Sequence, residues 1–179
     1  MEKRLLIIID PQNDFTSLQG NYAQRHTGIE EITATKNRIN MLVQLIGPEH
    51  TAVVSSDYRP GQFSPGLNIC IPGTPGHALD ADLVLNKSMN FFTKTDHSCF
   101  SSPAFIQYLE MNNINTLLLA GFLAEYCVKQ TALDALAKGY KVIIVEDGIA
   151  TGDDVIQRKK ETLQELIQKG AITINSNSL

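Results

Sequence analysis

The sequence predicts an α/β fold: a three-layer, doubly wound parallel sheet of six strands with helices on both faces. Three observations lead there. Short apolar runs alternate along the chain with longer segments of helical periodicity, the rhythm of successive βαβ units. The runs are continuously apolar rather than alternating, as strands buried on both faces must be. The chain has 179 residues, enough for one substantial core, and 1–179 reads as a single domain.

Each element has a local reason. LLIII (5–9) is a buried strand by length and β-branching. Over 28–47, Ile32, Ile39, Leu42, Val43 and Ile46 fall near one helical face, and Gly47-Pro48 stops the helix. TAVVSS (51–56) reads as the second strand and DLVLN (82–86) as the third. The segment 102–113 is a helix with Ser101 or Ser102 as its cap and Pro103 in its first turn. INTLLLAG (114–121) is the fourth strand, and the helix after it carries Cys127 and stops at Gly139. KVIIVED (141–147) is the fifth strand, 153–169 a helix after the cap candidates Asp153 and Asp154, and AITIN (171–175) the sixth strand. The long irregular segments 11–27 and 57–80 are where function is expected.

Composition excludes several classes. A formal charge of −4 with no basic stripe argues against nucleic acid as the main partner. The first apolar run ends at Asp10, too short for a signal sequence or a membrane span. Cys70, Cys99 and Cys127 are an odd set at irregular spacing, which argues against a disulfide framework and makes a reducing cytoplasm the default location.

In an open parallel sheet, ligands bind beyond the carboxyl ends of the strands, near the point where strand order reverses. Asp10, Lys87 and Cys127 each stand at or just past such an end on this reading. A carboxylate beside a thiol is a base for it. An ammonium and a helix N-terminus stabilise the thiolate and lower its pKa. Together they supply a nucleophile, a proton carrier and an electrostatic partner. The residues alone also allow plainer roles, with Asp10 as a turn cap, Lys87 as a solvated loop residue and Cys127 as core filler.

DPQNDF (10–15), a lysine after the third strand, and GFLAEYCVKQTALDALAKGYKVIIVEDG (121–148) together resemble the isochorismatase-like cysteine hydrolases, which include the nicotinamidases. The resemblance spans nearly the whole chain. It implies a strand order of 3-2-1-4-5-6 and an Asp-Lys-Cys triad, with Asp10 and Cys127 in the matching positions. It also implies a cis peptide at Phe122-Leu123, with the N–H groups of Leu123 and Cys127 as oxyanion donors. For the lysine, Lys87 suits the strand-end position and a long spacing to SCF (98–100), whereas Lys94 suits a short one; the strand-end argument favours Lys87. Motif position puts Phe15 and Tyr126 on the wall of the substrate pocket, with Tyr58 and Phe63 as further candidates. The family habit of assembling into dimers or larger forms makes a homo-oligomer the expectation.

Nicotinamidases of this family hold a metal ion through an aspartate and histidines on the loop after strand two. Here that loop keeps Asp57 but has Arg59, Gln62 and Ile69 where the histidines would stand. Such a donor set makes no metal site, so no metal and no other cofactor is expected. His26, His50, His77 and His97 are scattered without ligand spacing. Arg59 either pairs a substrate carboxylate or makes a surface ion pair. The function expected is cysteine-dependent hydrolysis of a small amide or carbamoyl compound through a thioester. The alternatives are a nicotinamidase with a degenerate metal site and a non-catalytic small-ligand binder of the same fold.

Overall fold

In the computed structural model, which describes residues 2–179, the elements run β1 (Arg4–Ile9), α1 (Asn13–Thr16), α2 (Glu30–Ile46), β2 (Thr51–Ser56), β3 (Asn90–Lys94) and α3 (Pro103–Met111). They continue with β4 (Thr116–Phe122), α4 (Lys129–Ala137), β5 (Lys141–Ala150), α5 (Ile156–Gln168) and β6 (Ile172–Ile174). The six strands form one sheet of order β3-β2-β1-β4-β5-β6, the order the family resemblance implies. Every neighbouring pair is parallel.

Strand β1 lies at the centre and shows why its residues are continuously apolar. Leu6 and Ile8 face one core with Ile32, Ile39, Leu42 and Val43 of α2. Leu5, Ile7 and Ile9 face the other, with Phe105 and Leu109 of α3, Ala132 and Ala135 of α4, and Leu166 of α5. Alternate residues of a strand point to opposite faces, so a strand covered on both sides has no polar register to show.

The third strand is a correction. Residues 82–86 lie in irregular structure, and the edge strand is Asn90–Lys94, paired with β2 from Ala52↔Asn90 to Ser56↔Lys94. DLVLN mimics a strand because Leu83 is buried in the α2-side core. Its polar groups are tied to α2 instead, with Asn40 Nδ2 donating to the Asp82 carbonyl and Val84 N donating to Asn40 Oδ1. NFFTK escaped the apolar criterion because it sits at the sheet edge, where Phe91 and Thr93 are exposed.

The caps also differ in part. Ser102 caps α3, accepting from Phe105 N, with Pro103 in the first turn as expected. Asp153 does not cap α5. Its carboxylate accepts from Glu30 N and Glu31 N at 2.7 and 3.0 Å, so it caps α2 from a distant part of the chain.

Candidate active site

The carboxyl ends of β1, β2, β3 and β4 meet where strand order reverses, and four side chains converge there. Asp10 ends β1 with a positive φ of 51°, a left-handed conformation that takes the chain off the sheet edge. Its own N–H still bonds the Val54 carbonyl at 2.9 Å. Ser56 ends β2 and donates to Asp10 Oδ1 at 2.7 Å. Lys94 ends β3 in register with Ser56. Cys127 sits after β4 on a single π-helical turn, Ala124–Val128, that leads into α4.

The rest of DPQNDF holds these ends in place. Gln12 is fully buried; its Nε2 donates to the carbonyls of Ser56 and His77, and its Oε1 accepts from Ser56 N at 2.7 Å. Asp14 accepts from Asn21 N and Nδ2 through one oxygen and from Cys70 N through the other. A Cβ at Gly76 would lie 2.1 Å from that carboxylate, so the turn GTPG closes on Asp14 only because Gly76 has no side chain. Gly121, at φ 120°, lets β4 approach β1; a Cβ there would lie 2.2 Å from the Ile9 carbonyl oxygen.

Lys94, fully buried, is the hub. Its Nζ lies 3.0 Å from Asp10 Oδ2 and donates to Ser56 Oγ (2.7 Å), Tyr58 OH (2.9 Å), the Asp96 carbonyl (3.0 Å) and Cys127 Sγ (3.5 Å). The contact with Asp10 Oδ2 is ionic rather than a well-directed hydrogen bond, which leaves that oxygen able to take another proton donor. Burial alone would lower the Lys94 pKa, but the negative charge of Asp10 beside it more than offsets this and holds the ammonium well above its ordinary value.

Lys87 is not part of this cluster. It is exposed, in the loop before β3, and Lys94 takes the place assigned to it. The strand-end argument was sound, but it was attached to the wrong strand.

The thiol also departs from expectation. Burial, then the Asp10 charge, push the Cys127 pKa above that of an ordinary cysteine, against a lowering by Lys94. The resting group is therefore a neutral thiol, with the carboxylate and the ammonium of the Asp10–Lys94 pair close by. Tyr58 OH lies 3.4 Å from the same sulfur, and His97 Nδ1 3.7 Å from it.

Above the sulfur opens a cavity of about 460 Å³ whose wall includes Phe15, Tyr58, Leu123, Tyr126 and Cys127. The peptide Phe122-Leu123 is cis, at the position the resemblance implies. Arg59 is exposed and absent from the wall; its N–H bonds Gln62 Oε1, and Arg25 and Arg158 line the cavity instead. The sequence reading also passed over His97. Its ring stacks on Phe63 with centroids 4.2 Å apart and a 14° angle, and burial followed by the Lys94 charge lowers its pKa, favouring neutral imidazole. Ser56 was missed as well, though it ends a correctly read strand and so stands beside Asp10.

The residues on the loop after β2 do not fit the metal that nicotinamidases hold. Asp57 Oδ1 is bonded to His77 Nε2 at 2.6 Å. Gln62 is engaged by Arg59 N and by the Thr95 carbonyl, Arg59 is exposed, and Ile69 packs on the apolar core. Among the described residues no group of three or more histidine, cysteine or acidic side chains is placed to share an ion.

Fold and site define a doubly wound α/β domain of the hydrolase class, with a buried thiol set against a carboxylate–ammonium pair. A family model for the isochorismatase domain matches residues 4–178, and the chain belongs to that family. It is 27% identical over 164 residues to a nicotinamidase of Escherichia coli, covering 92% of this chain and 72% of that one. It is 28% identical over 156 residues to a probable inactive nicotinamidase of Arabidopsis thaliana, covering 81% and 79%. Among solved structures, a nicotinamidase/pyrazinamidase from Bacillus subtilis superposes with a TM-score of 0.80 at 26% identity, over 98% of this chain and 100% of that one.

Proposed function

We propose that the protein is a cysteine-dependent hydrolase that cleaves the C–N bond of a small amide or carbamoyl compound through a thioester. The observation that carries this reading is the placement of the Cys127 sulfur at the cavity wall, 3.5 Å from a buried Lys94 that is itself 3.0 Å from Asp10. A buried carboxylate, ammonium and thiol cost several kcal/mol to desolvate, which their mutual pairing only partly offsets. That expense is explained by chemistry at the sulfur, and a ligand-binding role gives no reason for it.

As the sulfur forms a bond to the carbonyl carbon, Asp10 takes the thiol proton, so charge moves from sulfur to the substrate oxygen rather than resting on a buried thiolate. The N–H groups of Leu123 and Cys127 stabilise the oxyanion. Asp10 then gives its proton to the leaving nitrogen, the C–N bond breaks and the thioester remains. Asp10 next takes a proton from water as it attacks the thioester, and Cys127 leaves with that proton. Lys94 stays charged throughout and keeps its contacts with Asp10 and the sulfur.

Ammonia release from a panel of small amides, nicotinamide included, with and without Zn²⁺ or Mn²⁺, tests the reading. Turnover of at least one amide without added metal, reduced at least a thousandfold in Cys127→Ala, is expected. Undiminished turnover in that variant would remove the nucleophile. Strict metal dependence would restore the nicotinamidase alternative.

A further inference from the structure

The ionisable side chains on the cavity wall, apart from tyrosines and Cys127, are all basic: Arg25, His26, His97 and Arg158. No carboxylate lines it, although the chain as a whole carries a net charge of −4. A neutral amide buried at the sulfur gives no reason for this local reversal of sign.

Three of these groups, Arg25, His26 and Arg158, belong to two segments of chain that are laced together at the rim. Tyr22 OH lies 3.0 Å from Thr151 Oγ1 and accepts from Gly152 N at 3.0 Å. Asp153 N donates to the Gly28 carbonyl at 3.0 Å, and His26 Nδ1 meets Asp154 at 2.8 Å. These bonds fix the segment that carries Arg25 against the segment that leads to Arg158. His26 is already engaged by Asp154, and Arg158 has only a long ion pair with Glu125. Arg25 makes no ion pair among the described residues, and Arg158 approaches Glu125 only to 3.9 Å, outside hydrogen-bond range. Glu125 Oε1 is held instead by Thr151 Oγ1 at 2.8 Å.

We infer that Arg25 and Arg158 form an anion subsite at the cavity rim, and that the substrate is an amide bearing a carboxylate on the far side from its scissile group. This rests on the amidase reading and narrows it. A guanidinium fork matches a carboxylate in two parallel bonds, and both guanidiniums are exposed at the rim, where an entering carboxylate can reach them. The aromatic walls suit a flat spacer between the two ends of the substrate.

The test uses matched pairs that differ only in the carboxylate: 4-carbamoylbenzoate against benzamide, and succinamate against butyramide. Binding is measured by calorimetry on full-length Cys127→Ala, and turnover by ammonia release on the unmodified protein. The carboxylate member of at least one pair is expected to bind about tenfold or more tightly, with Arg25→Gln and Arg158→Gln in the Cys127→Ala background each removing roughly tenfold of that preference. Arg→Lys at the same positions is expected to restore part of it. No preference within either pair, or a preference that survives both Gln substitutions, overturns the subsite. The two readings fail separately. Preferential binding without ammonia release keeps the subsite and overturns the hydrolase, whereas turnover of the neutral amides with no carboxylate preference does the reverse.

Discussion

Lys36 and Lys94 are both buried lysines paired with a buried aspartate, yet they do different work. Lys36, on α2, bonds Asp80 at 3.0 Å and the exposed Asp82 at 2.7 Å, and Asp80 is further held by Thr16. It closes the loop before β3 onto a helix. Lys94 pairs with Asp10 but also reaches a hydroxyl, a phenol and a sulfur on the cavity wall. Burial of an ion pair thus marks nothing by itself. What separates the two sites is that one has a reactive atom and an opening beside the pair, and the other spends all its polar capacity on fastening the chain.

The sharpest way to break this comparison is to remove each ammonium. Lys94→Ala is expected to cost roughly 3–5 kcal/mol in denaturant unfolding, because Asp10 is left charged and buried, and to lower turnover at least about a thousandfold. Adding Asp10→Asn to that variant should recover part of the stability and none of the activity. Lys36→Ala is expected to cost about 2–3 kcal/mol, with turnover per folded molecule within about threefold of the parent. Loss of turnover comparable to Lys94→Ala would erase the distinction.

A smaller effect separates the two sites by pH. Cys127, with Cys70 and Cys99, keeps its proton in the folded state at pH values where an unfolded cysteine has lost it, since burial raises all three. The folded state then binds more protons than the unfolded one above about pH 8.5, so stability falls as pH rises, by up to about 1.4 kcal/mol per unit for each thiol. The Lys94 contribution, from a raised lysine pKa, is full below the unfolded value and is lost only at still higher pH. Urea midpoints between pH 7 and 10 should therefore decline from about pH 8.5 upward. Iodoacetamide labelling of Cys127 should climb through the same range without a plateau near neutrality, and a plateau near pH 7 would contradict the neutral resting thiol. The smallest effect belongs to Lys87→Ala, expected within about 0.5 kcal/mol in stability and unchanged in ammonia release, as befits a solvated loop residue.

The central strands could be read from sequence because double-sided burial leaves a continuous apolar run, as in LLIII and TAVVSS. The edge strand could not, since NFFTK faces solvent along one side and DLVLN nearby buries Leu83 without joining the sheet. Lys87 was favoured over Lys94 for that reason alone. Asp10 and Cys127 could be placed near one another from sequence because each follows a well-marked strand, β1 and β4, that pair in the sheet. His97, Arg25 and Arg158 were not found, because their approach to the sulfur is made by tertiary packing of irregular segments, which no local period records. Arg59 was chosen by its place in a loop whose Tyr58, Phe63, Leu67 and Ile69 do line the cavity, while Arg59 itself is exposed and does not.

Gly121 acts as a ruler for the reaction centre. In the proposed mechanism, the distance between Asp10 as base and Cys127 as nucleophile is set by how closely β4 lies against β1, and that spacing is fixed where the missing side chain meets the Ile9 carbonyl. Even the addition of one methyl group would have to be absorbed by parting the two strands whose ends carry Asp10 and lead to Cys127. The position is thus closed to variation on kinetic grounds as well as steric ones: an alanine tolerated by the fold would still lengthen the proton's path.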